Sequence, residues 1–207
     1  PAHYNILTST LTTFSSKDNS KYGTKYQQSA GDVTNSRGLA LAFTSAGSLM
    51  QFDSTPSCTV ITPAGLSTKN LSCIILKPGS SNFLVGTQAG QVIEINYSGS
   101  VVQTITLPTT PNSGTAPTII VTSLAMSGDK LFVGTSEGIL HTYTYSTSTL
   151  VDRQLVGSAT TSIATGGVLL SNVSNGYLAV GSELAAEDSA KGCPIGLFDI
   201  DPVKPVE

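Results

Sequence analysis

Tryptophan is absent from this 207-residue chain, histidine occurs twice and cysteine three times. Charged residues make up only 11% of it. Each shortage excludes something. With 10 basic and 13 acidic residues and a net charge of −3, there is no reserve of positive charge to neutralise phosphates, so no nucleic-acid partner is expected. Cys58, Cys73 and Cys193 form no CxxC pair and have no histidine at ligand spacing, which argues against a metal site. A catalytic triad needs a histidine within reach of a nucleophile and a carboxylate. His3 stands near the first residue, and His141, on an alternating segment with Thr142 and Tyr143, is expected to be a partly exposed strand residue. No apolar run approaches the roughly 18 residues of a membrane helix, so no membrane span is expected. The opening Pro1-Ala2-His3-Tyr4-Asn5 lacks the regions of a signal peptide, and Pro1 suggests a processed or partial chain.

What the chain does have is hydroxyl. Serine and threonine together make up roughly a quarter of it, so its surface must be mostly hydroxyl and amide. Such surfaces go with extracellular, cell-surface or virion proteins, with a cytoplasmic location as the alternative. Disorder is excluded, because that class needs high net charge. At 207 residues the chain is long enough to bury roughly two-thirds of its unfolded surface without metals or disulfides.

Three stretches align without a gap: residues 42–52, 85–95 and 133–143, with turn glycines at Gly47, Gly90 and Gly138. A fourth, altered copy opens at Tyr177-Leu178-Ala179-Val180-Gly181-Ser182. A period of roughly 43 to 48 residues with strand-like pattern in every copy means a unit that buries its apolar face by stacking on its neighbours. In the second copy, residues 73–76, 83–87, 91–96 and 101–107 read as four strands rich in β-branched residues. The third copy repeats them at 122–126, 131–135, 139–145 and 150–156. The turn glycines stand where a hairpin needs positive φ. Gly86, Gly134 and Gly181 recur inside the second strand, which points to close packing of the next unit there. In this register Cys58 lies on an outer strand and Cys73 on the next inner one. That separation exceeds the roughly 7 Å a disulfide tolerates, so unpaired thiols are expected.

Four strands per repeat make a propeller blade. The expected fold is therefore all-β: a β-propeller of about four four-stranded blades in one domain over 1–201. The repeats fall at roughly 22–64, 65–108, 118–157 and 160–201. Alternatives are a partial ring of a larger propeller and a β-solenoid. The fourth copy runs out before an outer strand, whereas 4–14 is strand-like and in excess, so 4–14 is expected to close the ring by completing that blade. Residues 202–207, with two prolines, read as a tail or linker.

The hairpins at 84–95 and 132–143, an apolar residue and then Val-Gly-Thr-x-x-Gly followed by an apolar run, resemble those of the WD40-like and quinoprotein-like β-propeller superfamilies. The resemblance covers roughly residues 38–200 and implies architecture, since the Trp-Asp signature of WD40 repeats is missing.

Candidate binding groups are the acids Glu183, Glu187, Asp188 and Asp199. The first three lie in an insertion, 183–194, that replaces the tight hairpin turn of the other copies. Propellers place binding groups in such loops, although a solvated acidic loop has the same composition. A second interrupting loop, 108–117, is proline-rich. Asn70, Asn96 and Asn172 fit the N-glycosylation pattern, with Asn96 at a turn. No cofactor is expected. The sequence thus points to a non-enzymatic scaffold or binding module, a structural or adhesion component whose partners are other proteins, copies of itself or glycans. A carbohydrate-active propeller enzyme using the acids near Glu187 and Asp199, and a cytosolic interaction module, stand as alternatives.

Overall fold

The structure, a computed structural model, describes residues 2–5, 10–13, 26–31, 40–44, 49–52, 58–61, 71–108, 119–155, 168–174, 177–182, 195–200 and 203–205. Every regular element among them is a strand, and no helix is long and apolar enough to cross a membrane. A two-stranded hairpin, β1 (Ala2–Asn5) with β2 (Thr10–Thr13), comes first. Sheet one follows as β3 (Tyr26–Gly31), β4 (Ala40–Thr44), β5 (Leu49–Phe52) and β6 (Cys58–Ile61). Sheet two is β7 (Leu71–Leu76), β8 (Phe83–Thr87), β9 (Gln91–Ile95) and β10 (Val101–Thr106). Sheet three is β11 (Val121–Ser127), β12 (Lys130–Thr135), β13 (Ile139–Thr144) and β14 (Thr149–Leu155). Sheet four is β15 (Val168–Ser174), β16 (Tyr177–Ser182), β17 (Ile195–Ile200) and β18 (Val203–Pro205). In each of these sheets every strand pairs antiparallel with the next in sequence.

The repeated Val-Gly-Thr has a local cause. The glycine of the following turn takes positive φ, +67° at Gly90 and +74° at Gly138, as the repeat requires; Gly47 lies outside the described residues. The buried threonine ties the hairpin. Thr87 Oγ1 accepts from the Gln91 amide at 3.1 Å, and Thr135 Oγ1 donates to the Ile139 carbonyl at 3.1 Å. A second device recurs in every innermost strand: the register slips between Tyr26 and Gln28, Leu71 and Cys73, Val121 and Ser123, and Val168 and Leu170. These bulges twist each inner strand at the same place.

The sheets stack face to face in chain order, with β3 beside β7, β7 beside β11 and β11 beside β15. Alternation decides which side chain enters which interface. Phe83, Val85, Ile93 and Ile95 of sheet two join Leu49 in one apolar cluster. From the opposite face, Leu84 and Val92 join Val121, Leu124, Leu131 and Val133 of sheet three. Phe132 and Leu140 then meet Leu178, Val180 and Phe198 of sheet four. Among the described residues, no contact of comparable extent joins β15 to β3.

Two expectations about the chain ends are corrected. Residues within 4–14 do not complete the fourth sheet, because β1 pairs with β2 instead. The missing outer strand comes from the supposed tail, where Val203, Lys204 and Pro205 pair with Ile200, Asp199 and Phe198. Proline is tolerated there because an outermost strand has one side free of ladder bonds, so a missing N–H does no harm.

Candidate functional site

The most densely bonded side chain among the described residues is Glu94, on β9, only 3% exposed between sheets two and three. Lys77, from the β7–β8 turn, reaches its Oε1 at 3.0 Å and its Oε2 at 3.2 Å. Asn82 Nδ2 donates to Oε1 at 2.6 Å, and the Tyr145 hydroxyl, from the end of β13, donates to Oε2. The Lys77 ammonium also lies 4.5 Å from the centre of the Tyr145 ring. Burial opposes ionisation of Glu94, but bonds from Tyr145, Asn82 and Lys77 and the Lys77 charge outweigh it, holding the carboxyl below its usual range. Burial, with the hydrogen bond and charge of Glu94, pushes the Tyr145 phenol upward. Both carboxylate oxygens are engaged, so this group is a clasp and not a base in waiting.

The end of the third strand is held at the other interfaces too. Gln51, aligned with Glu94, donates from Nε2 to the Tyr97 carbonyl at 2.6 Å, joining sheets one and two. Lys130 donates to the Ile200 carbonyl at 2.6 Å, joining sheets three and four. Tyr97, Tyr145 and Ile200 occupy equivalent places at the end of the third strand. Each sheet therefore holds the next by the end of its third strand. Gln103 strengthens the middle junction through the Tyr145 carbonyl at 3.1 Å and Ser148 Oγ at 2.7 Å, and Ser72, at the inner bulge, donates to the Val121 carbonyl.

His141 departs from expectation. It is 0% exposed, on the face of β13 turned to sheet two, with its ring centre 6.4 Å from that of Tyr143. Neither ring nitrogen has a hydrogen-bond partner, and neither does the Tyr143 hydroxyl. Burial and the Arg153 charge lower the His141 pKa to about 4. Between that value and the roughly 6.5 of an unfolded histidine, the unfolded chain binds the extra proton. Stability should therefore fall as pH drops through this window. The repeat places Met50 and Ile93 at the same position, so His141→Met should raise stability at neutral pH by about 1 to 2 kcal/mol by removing two orphaned nitrogens. It should also flatten the pH dependence between about 6.5 and 4. Urea unfolding midpoints of both proteins across that range check this.

Cys73 is free and buried, as the register of Cys58 and Cys73 implied. Burial pushes its thiol up to about 12, partly offset by its bonding to Gly86 and Ser72. In a Cys58→Ser, Cys193→Ser background, Cys73 should not react with an aromatic disulfide reagent at pH 8 until the protein unfolds. Fast labelling of the native protein would contradict the burial.

Of the residues singled out in the sequence, Glu183, Glu187, Asp188 and Asn70 lie outside the described residues. Asp199 sits on β17 in register with Tyr177 and Lys204, four positions beyond Ile195, where the 183–194 connection re-enters the sheet. Asn172 lies within β15 in register with Ala179. Asn96 is at the β9–β10 turn, half-buried, its Oδ1 accepting from Ser98 Oγ and from the Ser100 amide, both at 2.8 Å. Glu94 went unnoticed in the sequence. The signal was a polar residue, Gln51, Glu94 and Thr142, standing once per repeat inside an apolar strand.

No protein-family model matches the chain, and no curated protein does. Solved structures do. BamB from Moraxella catarrhalis superposes with a TM-score of 0.57 at 18% identity, over 86% of this chain and 50% of that one. The fold is a β-propeller. Its four-stranded sheets are blades, and the stacked interfaces are blade seams. The chain spans half the length of that structure. Because 979 chains of solved structures match, the likeness identifies an architecture and not one family.

Proposed function

We propose that this propeller is a non-enzymatic scaffold or binding module acting outside the cell, on a cell surface or in a virion. The observation that carries the reading is the clasped seam. Glu94 bonds to Lys77 and Asn82 of its own blade and to Tyr145 of the next, so this seam cluster serves rigidity. A rigid set of blades presents its connections as fixed recognition loops. In every sheet the second and third strands join at the end from which the chain leaves for the next sheet. On this reading the acids Glu183, Glu187, Asp188 and Asp199 serve as binding groups for protein or glycan partners. Asn96, its sequon bonded within a surface turn, is the glycan acceptor that fits an extracellular setting.

The test is retention without turnover. Immobilised protein is exposed to a glycan library and to purified surface proteins, and the same glycans are incubated with it in solution. Reversible retention of a glycan or protein that is recovered unchanged supports the reading. New reducing ends in the solution arm would replace it with a carbohydrate-active enzyme.

A further inference from the structure

Engaged on both oxygens, Glu94 can serve no incoming substrate, and the chemistry left to it lies among the groups it already holds. Two of these are an amine and a primary amide. The Lys77 backbone N–H donates to the Asn82 carbonyl at 2.9 Å, which sets the two residues opposite each other at the mouth of the β7–β8 hairpin. Residues so paired send their side chains to one face. Both side chains turn there to the same acceptor. Lys77 Nζ stands 3.0 Å from Glu94 Oε1 and Asn82 Nδ2 stands 2.6 Å from it, so amine and amide can be no farther apart than those two lengths laid end to end. The carboxyl that joins them is buried, its other oxygen is held by the Tyr145 hydroxyl, and the Tyr145 ring lies against the amine.

We propose that Lys77 and Asn82 are the partners of an intramolecular isopeptide bond, with Glu94 as the catalytic residue that moves the proton between them. The pair rests charged, and one proton passing along the 3.0 Å bond turns it, as a minor state, into an amine and a carboxylic acid. Partial loss of water around the pair narrows the gap between the two states. A half-turn of the Asn82 amide about χ2 exchanges Nδ2 for Oδ1, and 2.6 Å is as ordinary for an O–H···O bond as it is short for N–H···O. The Glu94 hydroxyl then donates to the amide oxygen and draws charge from Cγ. Nζ adds to Cγ, the oxyanion forms on Oδ1 against Glu94, one proton passes from Nζ through Glu94 to Nδ2, and the Cγ–Nδ2 bond breaks. One C–N bond forms and one is lost. Ammonia leaves for the solvent, where it takes up the proton lent to Glu94, so the balance needs no oxidant, reductant or co-reactant. The product ties the mouth of the hairpin covalently and removes the Lys77 charge from the seam.

Mass reads the reaction directly. Intact protein held for days at neutral pH and then denatured should weigh one ammonia less than its sequence requires. Tandem mass spectra of the peptide containing both residues should lack fragments that part Lys77 from Asn82, because the bond makes that stretch a ring. Lys77→Arg keeps a cation beside Glu94 but removes the nucleophile, and Glu94→Gln keeps an acceptor for Asn82 but cannot carry the proton. Each should retain its full mass while giving the circular dichroism spectrum of the parent. The parent's own mass and fragments decide even where a variant fails to fold. A parent at full sequence mass overturns the proposal. So does an ammonia deficit that persists in Lys77→Arg, as cyclisation of an asparagine alone would give, or in Glu94→Gln.

Discussion

Glu94→Leu is expected to lower the unfolding free energy by about 3 kcal/mol, because it strands three donors at once. Asn82 Nδ2 and the Tyr145 hydroxyl lose their acceptor inside the seam, and Lys77 loses its counter-charge. The Lys77 side chain is still partly open to water, which keeps the loss below that of a fully buried pair. Glu94→Gln retains the acceptor for Asn82 and should lose only about 1 to 2 kcal/mol. The two variants also separate by pH. The Glu94 carboxyl is held below its unfolded value, so its contribution is present above about pH 4.3 and disappears as pH falls through the lower folded value. Glu94→Gln should flatten that acid limb and leave the His141 window at higher pH in place. Urea titrations of the parent and both variants, from neutral pH down to about pH 3, measure both effects. Equal losses for leucine and glutamine would show that the seam depends on volume and not on the bonds.

Gly86→Val should be at least as damaging, for a steric reason. A Cβ at Gly86 would collide with Cys73 Sγ and stand 2.6 Å from Val121 Cγ1 and 2.9 Å from Val121 Cβ. The first neighbour is a side chain of the same blade, and the second belongs to the innermost strand of the next. Alanine at this position should lower stability by about 2 to 3 kcal/mol, and valine by more. Cys73→Ala should rescue Gly86→Ala in part, because it removes the sulfur but leaves Val121, whose Cβ is fixed to the backbone. A double-mutant cycle with unfolding midpoints reads that coupling. No rescue would mean that Val121 alone sets the limit. The recurrent glycine of the Val-Gly-Thr motif is thus explained at Gly86 by the closeness of the next blade and not by backbone φ.

How much of this is legible in the sequence depends on which neighbours decide it. The strands of sheets two and three follow from alternation and turn glycines, and they lie within two residues of where those signals place them. The seam role of Gly86 follows as well, since only a close approach makes a strand-interior glycine recur. By contrast, Tyr145, the partner of Glu94 from the next blade, is brought to it only by stacking. His141 looks like an exposed residue because a fully buried histidine without a partner runs against ordinary polar satisfaction. The outer strand Val203–Pro205 is hidden by Pro205 and the preceding Pro202, since proline excludes a central strand but not an outermost one.

The bulge in each innermost strand has a further consequence. It adds one residue to the inner strand that the neighbouring strand does not match, and in sheet two that residue is Ser72, whose hydroxyl reaches the Val121 carbonyl of the next blade. A residue that is surplus to its own sheet becomes the connector to the following one. The structure therefore behaves as a chain of couplings between immediate neighbours, in which strain at one seam is felt by the two sheets it joins and fades beyond them.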